Sequence, residues 1–229
     1  MRLLLAWNDA INLTAIRDPA EIAIRHVVDS LTALEVLRSR SIDRFIDLGS
    51  GGGFPGLTLA AAVPADRALL VDSIAKKVRF LSTVIEATGL GRSVAAVADR
   101  AEARAADPVD RGRWPALTAR AVAPLAELIE LGLPFLRARG ILIAWKRGDV
   151  ADPDGLGGEL ATARRALGAI DRDGALEVGR PLGDRSARSA QRTALTPLAD
   201  HRLIVVERGP GPIAGTWPRD PATRHRKPW

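Results

Sequence analysis

Residues 44–56, RFIDLGSGGGFPG, constrain the fold of this chain more than any other stretch. Arg44-Phe45-Ile46-Asp47-Leu48 is an apolar run of strand length. It breaks into Gly49-Ser50-Gly51-Gly52-Gly53, and Pro55 stands where a helix can begin. A strand feeding a glycine-rich turn and then a helix is a nucleotide-binding arrangement of open parallel sheets. Without a Cβ the backbone can turn tightly or left-handedly and approach a ligand closely. The first turn of a helix adds N–H groups with no partner inside the helix, available to carboxylates or phosphates. A glycine-rich loop with no ligand is the competing reading until the flanking sequence is considered.

The flanks repeat a strand–helix alternation. Ahead of the glycines, Asp18 reads as a helix cap, Pro19 as a first helical residue and Glu21 as the partner of a capping box. Ile22, Val27, Val28, Leu31, Leu34 and Leu37 follow at roughly helical spacing, which predicts a helix to about Arg38. Residues 1–17 interleave polar and apolar side chains with no clean period. After the glycines the pattern predicts helices at 57–63, 74–88, 124–136 and 159–167. Strands are predicted at 67–72, 93–98, 114–122, 140–146, 175–178 and 203–207. The first helix of that set stops at Pro64 and the second at Gly89. Strands alternating with helices imply βαβ units, right-handed crossovers and a doubly wound, mostly parallel α/β sheet. The arginine-studded segment 180–192 reads as a loop. The tail from Pro210, rich in Pro, Gly and Arg, is expected to be poorly ordered by itself.

Composition narrows the chemistry. The chain's 229 residues contain no cysteine, which excludes disulfides, thiolate catalysis and cysteine-bound metals. Its three histidines, His26, His201 and His225, lack metal-ligand spacing, so no metal is expected. No apolar run approaches a membrane span, and MRLLLAW meets Asn8 and Asp9 too soon for a signal-peptide core, so a cytoplasmic location without membrane contact is expected. Net charge is +6, from 33 Lys and Arg against 27 Asp and Glu, which suits a polyanionic partner. Aromatics make up only 4%, too few for a broad base-stacking platform.

Asp72 identifies the ligand class. It ends the second predicted strand, 19 positions beyond Gly53, which in a doubly wound sheet sets its carboxylate beside the glycine turn to accept from ribose hydroxyls. NAD and S-adenosylmethionine both present such an adenosine. The run Gly49-Ser50-Gly51-Gly52-Gly53 behind Asp47 is denser than a GxGxxG fingerprint, and no second pyrophosphate turn follows. These features favour S-adenosylmethionine, with a nicotinamide-dependent oxidoreductase as the alternative enzyme class and a non-catalytic RNA-binding or ribosome-assembly factor as a third reading.

Several separated stretches carry a more specific resemblance: NLTAIRDPAEIAIRHVVDSL (12–31), RFIDLGSGGGFPGLTLA (44–60), LLVDSIAKKVRFL (69–81), TARAVAPLAEL (118–128), and HRLIVVERG with WPRDPATRHRKP near the end. Together they make the chain similar to the bacterial small-subunit (16S) ribosomal RNA guanine-N(7) methyltransferase family, also called glucose-inhibited division protein B. The resemblance implies a class I, Rossmann-like methyltransferase domain at 41–209, a helical extension at 1–40 packed on it and a basic tail at 210–229. It implies a monomer acting on 16S rRNA or a small-subunit particle. Members carry one or two helices ahead of the Trp-Asn pair, whereas Met1 here closely precedes Trp7-Asn8, which bears on the packing of the first segment. By position, the resemblance implies that Gly49, Gly51 and Phe54 line the cofactor and that Asp72 and Ser73 hold its adenosine. Ala101 and Glu102 would flank the adenine, and Arg120 would stand by the methionine moiety or the target base.

Ring nitrogen 7 of guanine has an exposed lone pair and no proton to lose, so alignment matters more than acid–base help and no general base is expected. The missing cysteine argues against carbon-5 pyrimidine methylation. The sequence Ala119-Arg120-Ala121-Val122 after the fourth strand lacks the Asp/Asn-Pro-Pro-aromatic motif of exocyclic-amine methylation. Arg120 and Lys146 are candidates to position the base. Asn12, Thr14, Arg17, Arg25 and His26 on one side, with Lys146, Arg188 and Arg219 on the other, are candidates to hold the RNA.

Overall fold

The computed structural model describes residues 1–63, 66–179 and 196–229. Pro64, read as a helix stop, and the segment 180–192 with its candidate Arg188 lie outside the described residues.

The chain opens with α1 (Arg2–Ile11), which sequence periodicity missed. Its buried residues, Leu4, Asn8 and Ile11, do recur on one helical face, but the middle one is polar and hides the period. Asn12, in the left-handed region at φ 50°, ends the helix. Asparagine adopts that conformation more readily than most residues. Asp18 caps α2 (Pro19–Ile22) by accepting the Glu21 N–H at 2.8 Å, and Pro19 occupies the first helical position. The helix predicted to run unbroken to Arg38 is interrupted. It widens into a π-helical turn over Ala23–Val28, returns to α geometry in α3 (Asp29–Leu31) and restarts as α4 (Leu34–Ser39). At the second break the Thr32 hydroxyl donates to the Asp29 carbonyl at 2.6 Å, giving the backbone a local alternative to helix.

The core alternates strand and helix as expected, with one helix, α7, that the pattern does not predict: β1 (Arg44–Leu48), α5 (Gly56–Ala62), β2 (Arg67–Asp72), α6 (Ala75–Ala87), β3 (Val94–Ala98), α7 (Ala101–Ala106), β4 (Trp114–Arg120), α8 (Leu125–Gly132), β5 (Leu136–Arg147), α9 (Leu156–Ile170), β6 (Ala175–Gly179) and β7 (His201–Glu207). The sheet order is β3-β2-β1-β4-β5-β7-β6. The first five strands run parallel, and β7 lies antiparallel to both β5 and β6. The order reverses at β1, between its neighbours β2 and β4. A crevice therefore opens beyond the carboxyl ends of β1 and β4, where ligands bind in open sheets of this kind.

Side chains leave alternate faces of each strand and fill two cores. On β5, Leu142 and Ala144 join one with α8 and α9, while Ile141, Ile143 and Trp145 join the other with α1, α4, α5 and α6. The helix predicted at 124–136 stops at Gly132. Residues 133–135 form a 3-10 turn and β5 begins at Leu136, because the wholly buried apolar run Leu131–Leu136 carries no period to separate helix from strand.

The tail is packed rather than loose. Glu130 of α8, fully buried, accepts from the Arg219 backbone N–H at 2.8 Å, from Arg219 Nε at 2.9 Å and Nη2 at 2.6 Å, and from Trp229 Nε1 at 2.7 Å. Trp217 and Trp229 stack at 5.9 Å and flank the guanidinium. α10 (Pro221–Arg226) completes this clasp, with Arg224 paired to Glu102 at the start of α7. No helix among the described residues is long and apolar enough to cross a membrane.

Candidate active site

The glycine turn follows β1 directly. Gly49, Gly51 and Gly53 have φ of 65°, 51° and 89°. In that region a side chain would strain the backbone. Ser50 anchors the turn: its N–H donates to the Val71 carbonyl of β2 at 3.1 Å and its hydroxyl to the Asp47 carbonyl at 3.0 Å. Asp47 is fully buried, accepts the Thr118 hydroxyl at 2.7 Å on Oδ1, and has its other oxygen 2.5 Å from where a Cβ on Gly56 would lie. Burial, opposed by the Thr118 hydrogen bond, pushes its carboxyl up to about 6.

Asp72 sits beside that turn, as its place in the sequence predicts. Oδ2 accepts the Gly51 N–H and Oδ1 the Ile74 N–H, both at 2.9 Å. A carboxylate has about four lone-pair positions, so each oxygen keeps one to accept a ribose hydroxyl. An acceptor-only group with spare capacity at the carboxyl end of β2, next to left-handed glycines, fits the adenosine of S-adenosylmethionine.

A cavity of about 550 Å³ opens at the switch point, lined by Gly49, Gly51, Phe54, Thr14, Arg120 and Lys146, among others. A hydrogen-bonded web crosses it. Arg120, ending β4, donates from Nη1 to Asp29 Oδ2 and from Nη2 to His26 Nδ1, both at 3.0 Å, and its guanidinium lies 5.7 Å over the Phe54 ring. His26 stacks on Phe54 at 4.8 Å and 22° and reaches Thr14 Oγ1 from Nε2 at 2.7 Å. Burial, then the Arg120 charge, push the imidazole down to about 4, so it is neutral at pH 7. Asp29 Oδ1 shares a hydrogen at 2.7 Å with His201 Nδ1, and the Asp29 carbonyl accepts Trp145 Nε1 at 2.8 Å. The π-helical turn brings Arg25 and His26 to this edge, and the Arg25 carbonyl accepts from Arg120 at 3.1 Å.

The candidates from the sequence thus divide. Gly49, Gly51, Phe54, Thr14, Arg25, His26, Arg120 and Lys146 meet at one cavity. Asp72, Ser73, Ala101 and Glu102 do not line it; Asp72 ends β2, Ser73 follows it, Ala101 and Glu102 open α7, and Glu102 is held by Arg224. Lys146 is held by Glu159 at 2.6 Å and by the Ala123 carbonyl at 2.9 Å. Asn12 serves as the left-handed cap of α1, and the exposed Arg17 pairs with Asp9 at 2.6 Å. Arg219 does not line the cavity; its guanidinium is held by the buried Glu130.

Three contributors escaped the sequence reading. Asn8 clamps the turn into the cavity wall, accepting the Leu13 and Thr14 N–H groups at 2.7 and 2.8 Å and donating to the Thr14 carbonyl at 2.9 Å. Asp29, inside the segment predicted as a helix to Arg38, is 1% exposed. His201 starts β7. Asp29 shares its segment with Arg25, His26, Ser30 and Glu35, so nothing local sets it apart, and its partners Arg120 and His201 lie 91 and 172 residues away.

Residues 1–153 match the family model described as GidB, rRNA small subunit methyltransferase G. A protein named ribosomal RNA small subunit methyltransferase G from Desulfitobacterium hafniense is 32% identical over 225 residues, 98% of this chain and 84% of that protein. One of the same name from a Roseiflexus species is 43% identical over 164 residues, 72% of this chain and 67% of that protein. Among solved structures, an O-methyltransferase from Bacillus cereus in complex with SAH superposes with a TM-score of 0.60 at 16% identity, covering 90% of each chain.

Proposed function

The chain belongs to the rRNA small subunit methyltransferase G family, and we propose that it methylates ring nitrogen 7 of a guanine in small-subunit (16S) ribosomal RNA with S-adenosylmethionine as methyl donor. The observation that carries this reading is the pairing of that family match with Asp72 seated against the glycine turn. Bound S-adenosylmethionine supplies a methyl group already activated on a sulfonium. Ring nitrogen 7 of guanine has a lone pair and no proton to lose, so no residue of the chain would be needed as a base. The protein's task is therefore placement.

In this reading Asp72 and Ser73 hold the adenosine, Ala101 and Glu102 border the adenine, and Gly49, Gly51 and Phe54 flank the methionine end. Arg120, fixed by Asp29 and His26, stands where that end meets the target base. The substrate is a bulged or loop guanine, because duplex RNA buries the edge that carries ring nitrogen 7. We place the protein in the cytoplasm, as a monomer acting on 16S rRNA or a small-subunit particle without a metal.

Mass spectrometry of small-subunit rRNA from cells with and without the protein tests the reading. One 7-methylguanosine should vanish without the protein and stay absent when only Asp72→Ala is supplied. Its persistence in cells lacking the protein would sink the proposal.

A further inference from the structure

The web across the cavity determines where its protons sit. A guanidinium only donates, so Arg120 Nη2, at 3.0 Å, obliges His26 Nδ1 to accept. A neutral imidazole then carries its one hydrogen on Nε2 and donates it to Thr14 Oγ1 at 2.7 Å. A protonated His26 would set two donors against each other at Nδ1. Thr14 Oγ1 also accepts the Ile16 N–H at 3.1 Å. A hydroxyl has two lone pairs and one hydrogen. Both lone pairs are thus filled, and the hydrogen has no acceptor among the described residues. Thr14 lines the cavity, so the cavity wall presents a hydroxyl that can donate but cannot accept. Next to it on the cavity wall lies the neutral ring pair His26–Phe54.

A purine edge carrying ring nitrogen 7 is distinguished by its neighbouring substituent. Guanine has O6, an acceptor; adenine has an amino group, a donor. We propose that Thr14 donates to O6 of the target guanine and so admits guanine while turning adenine away, whose amino group would meet a hydroxyl with no lone pair left. The inference rests on the guanine methylation reading and adds the residue that reads the base. Asn8 is its support: the three hydrogen bonds to Leu13 and Thr14 hold the donor in place.

The test uses small-subunit particles reconstituted with the modified guanine replaced by 2-aminopurine, which keeps ring nitrogen 7 and lacks O6. The wild-type enzyme should methylate the guanine particle about 100-fold faster than the 2-aminopurine particle. Thr14→Val should lose about 100-fold on guanine and treat the two particles alike, while Thr14→Ser, which keeps the hydroxyl, stays within about threefold of wild type. S-adenosylmethionine affinity by calorimetry should be the same for all three proteins. A Thr14→Val enzyme that still prefers guanine as strongly as wild type overturns the inference. Weakened cofactor binding in Thr14→Val does so too, because it places the hydroxyl on the cofactor. Should Thr14→Val not fold, equal wild-type rates on the two particles overturn the inference without any variant. If wild type makes no 7-methylguanine at all, it is the functional reading that falls. If it does, and Thr14→Val matches it, only the role of Thr14 falls.

Discussion

Asp47 shows how a single buried group carries both fold and site. It is the residue of β1 whose side chain ties that strand to Thr118 on the central strand β4, just beneath the glycine turn. Its surroundings favour the protonated form, raising the carboxyl from 3.8 to about 6. A raised folded-state pKa means the folded protein holds the proton more tightly than the unfolded chain. The resulting stabilisation is complete below about pH 4 and is lost as pH rises through 6. At about 1.4 kcal/mol per pKa unit, the loss across that window is about 3 kcal/mol. Asp47→Asn cannot ionise, so this slope should be missing from it whatever its baseline stability. Denaturant titrations of both proteins at pH 4, 5, 6 and 7 measure the difference. Parallel profiles would show that Asp47 is ionised in the folded protein throughout.

Among the elements, the clasp of the tail on α8 depends most on one pair. Burial works to raise the Glu130 carboxyl, yet the hydrogen bonds from Arg219 and Trp229 hold it below the usual carboxylate range. Removing the guanidinium leaves a buried charge with no opposite charge beside it, held only by the residue 219 N–H and Trp229 Nε1, so Arg219→Ala should cost about 3 kcal/mol. It should also open the residues around Gly215 to protease. Adding Glu130→Gln removes the stranded charge and should recover part of the loss in the same unfolding and digestion measurements. A double variant no more stable than the single one would contradict this account. The clasp also marks where sequence legibility ends. The strands 44–48 and 67–72, Asp18 as a cap and Asp72 beside the glycines were all readable, because each is specified by its neighbours in the chain. The long pairings Arg219–Glu130, Arg120–Asp29 and Asp29–His201 were not, since they exist only once the sheet order brings distant segments together. Asn8 interrupts the apolar face of α1 for a purpose outside that helix, and this is why periodicity passed over it.

At the scale of the whole molecule, a net charge of +6 says less about RNA than the distribution of free cations does. Arg17, Lys146 and Arg219, all candidates to grip RNA, are tied to Asp9, Glu159 and Glu130. An arginine already paired displaces few counterions when a phosphate arrives. Lys76, Lys77 and Arg79 differ. They lie in the first turns of α6, just past the carboxyl end of β2 and on the same edge of the sheet as the cavity, with no ion pair among the described residues. If RNA runs from the cavity across this edge, these cations meet its backbone, each releasing about 0.7 to 0.9 counterion. Replacing both Lys76 and Lys77 by Gln should weaken binding to small-subunit RNA about 10-fold near physiological salt. It should also flatten the plot of log affinity against log salt by about 1.5. Arg219→Gln, acting on the opposite side of the argument, should leave that slope unchanged. Filter binding between about 50 and about 200 mM salt separates the two, over the range in which phosphate contacts dominate affinity. An unchanged slope in the double lysine variant would move the RNA path off this edge and leave the cavity to be reached from the side of the N-terminal helices.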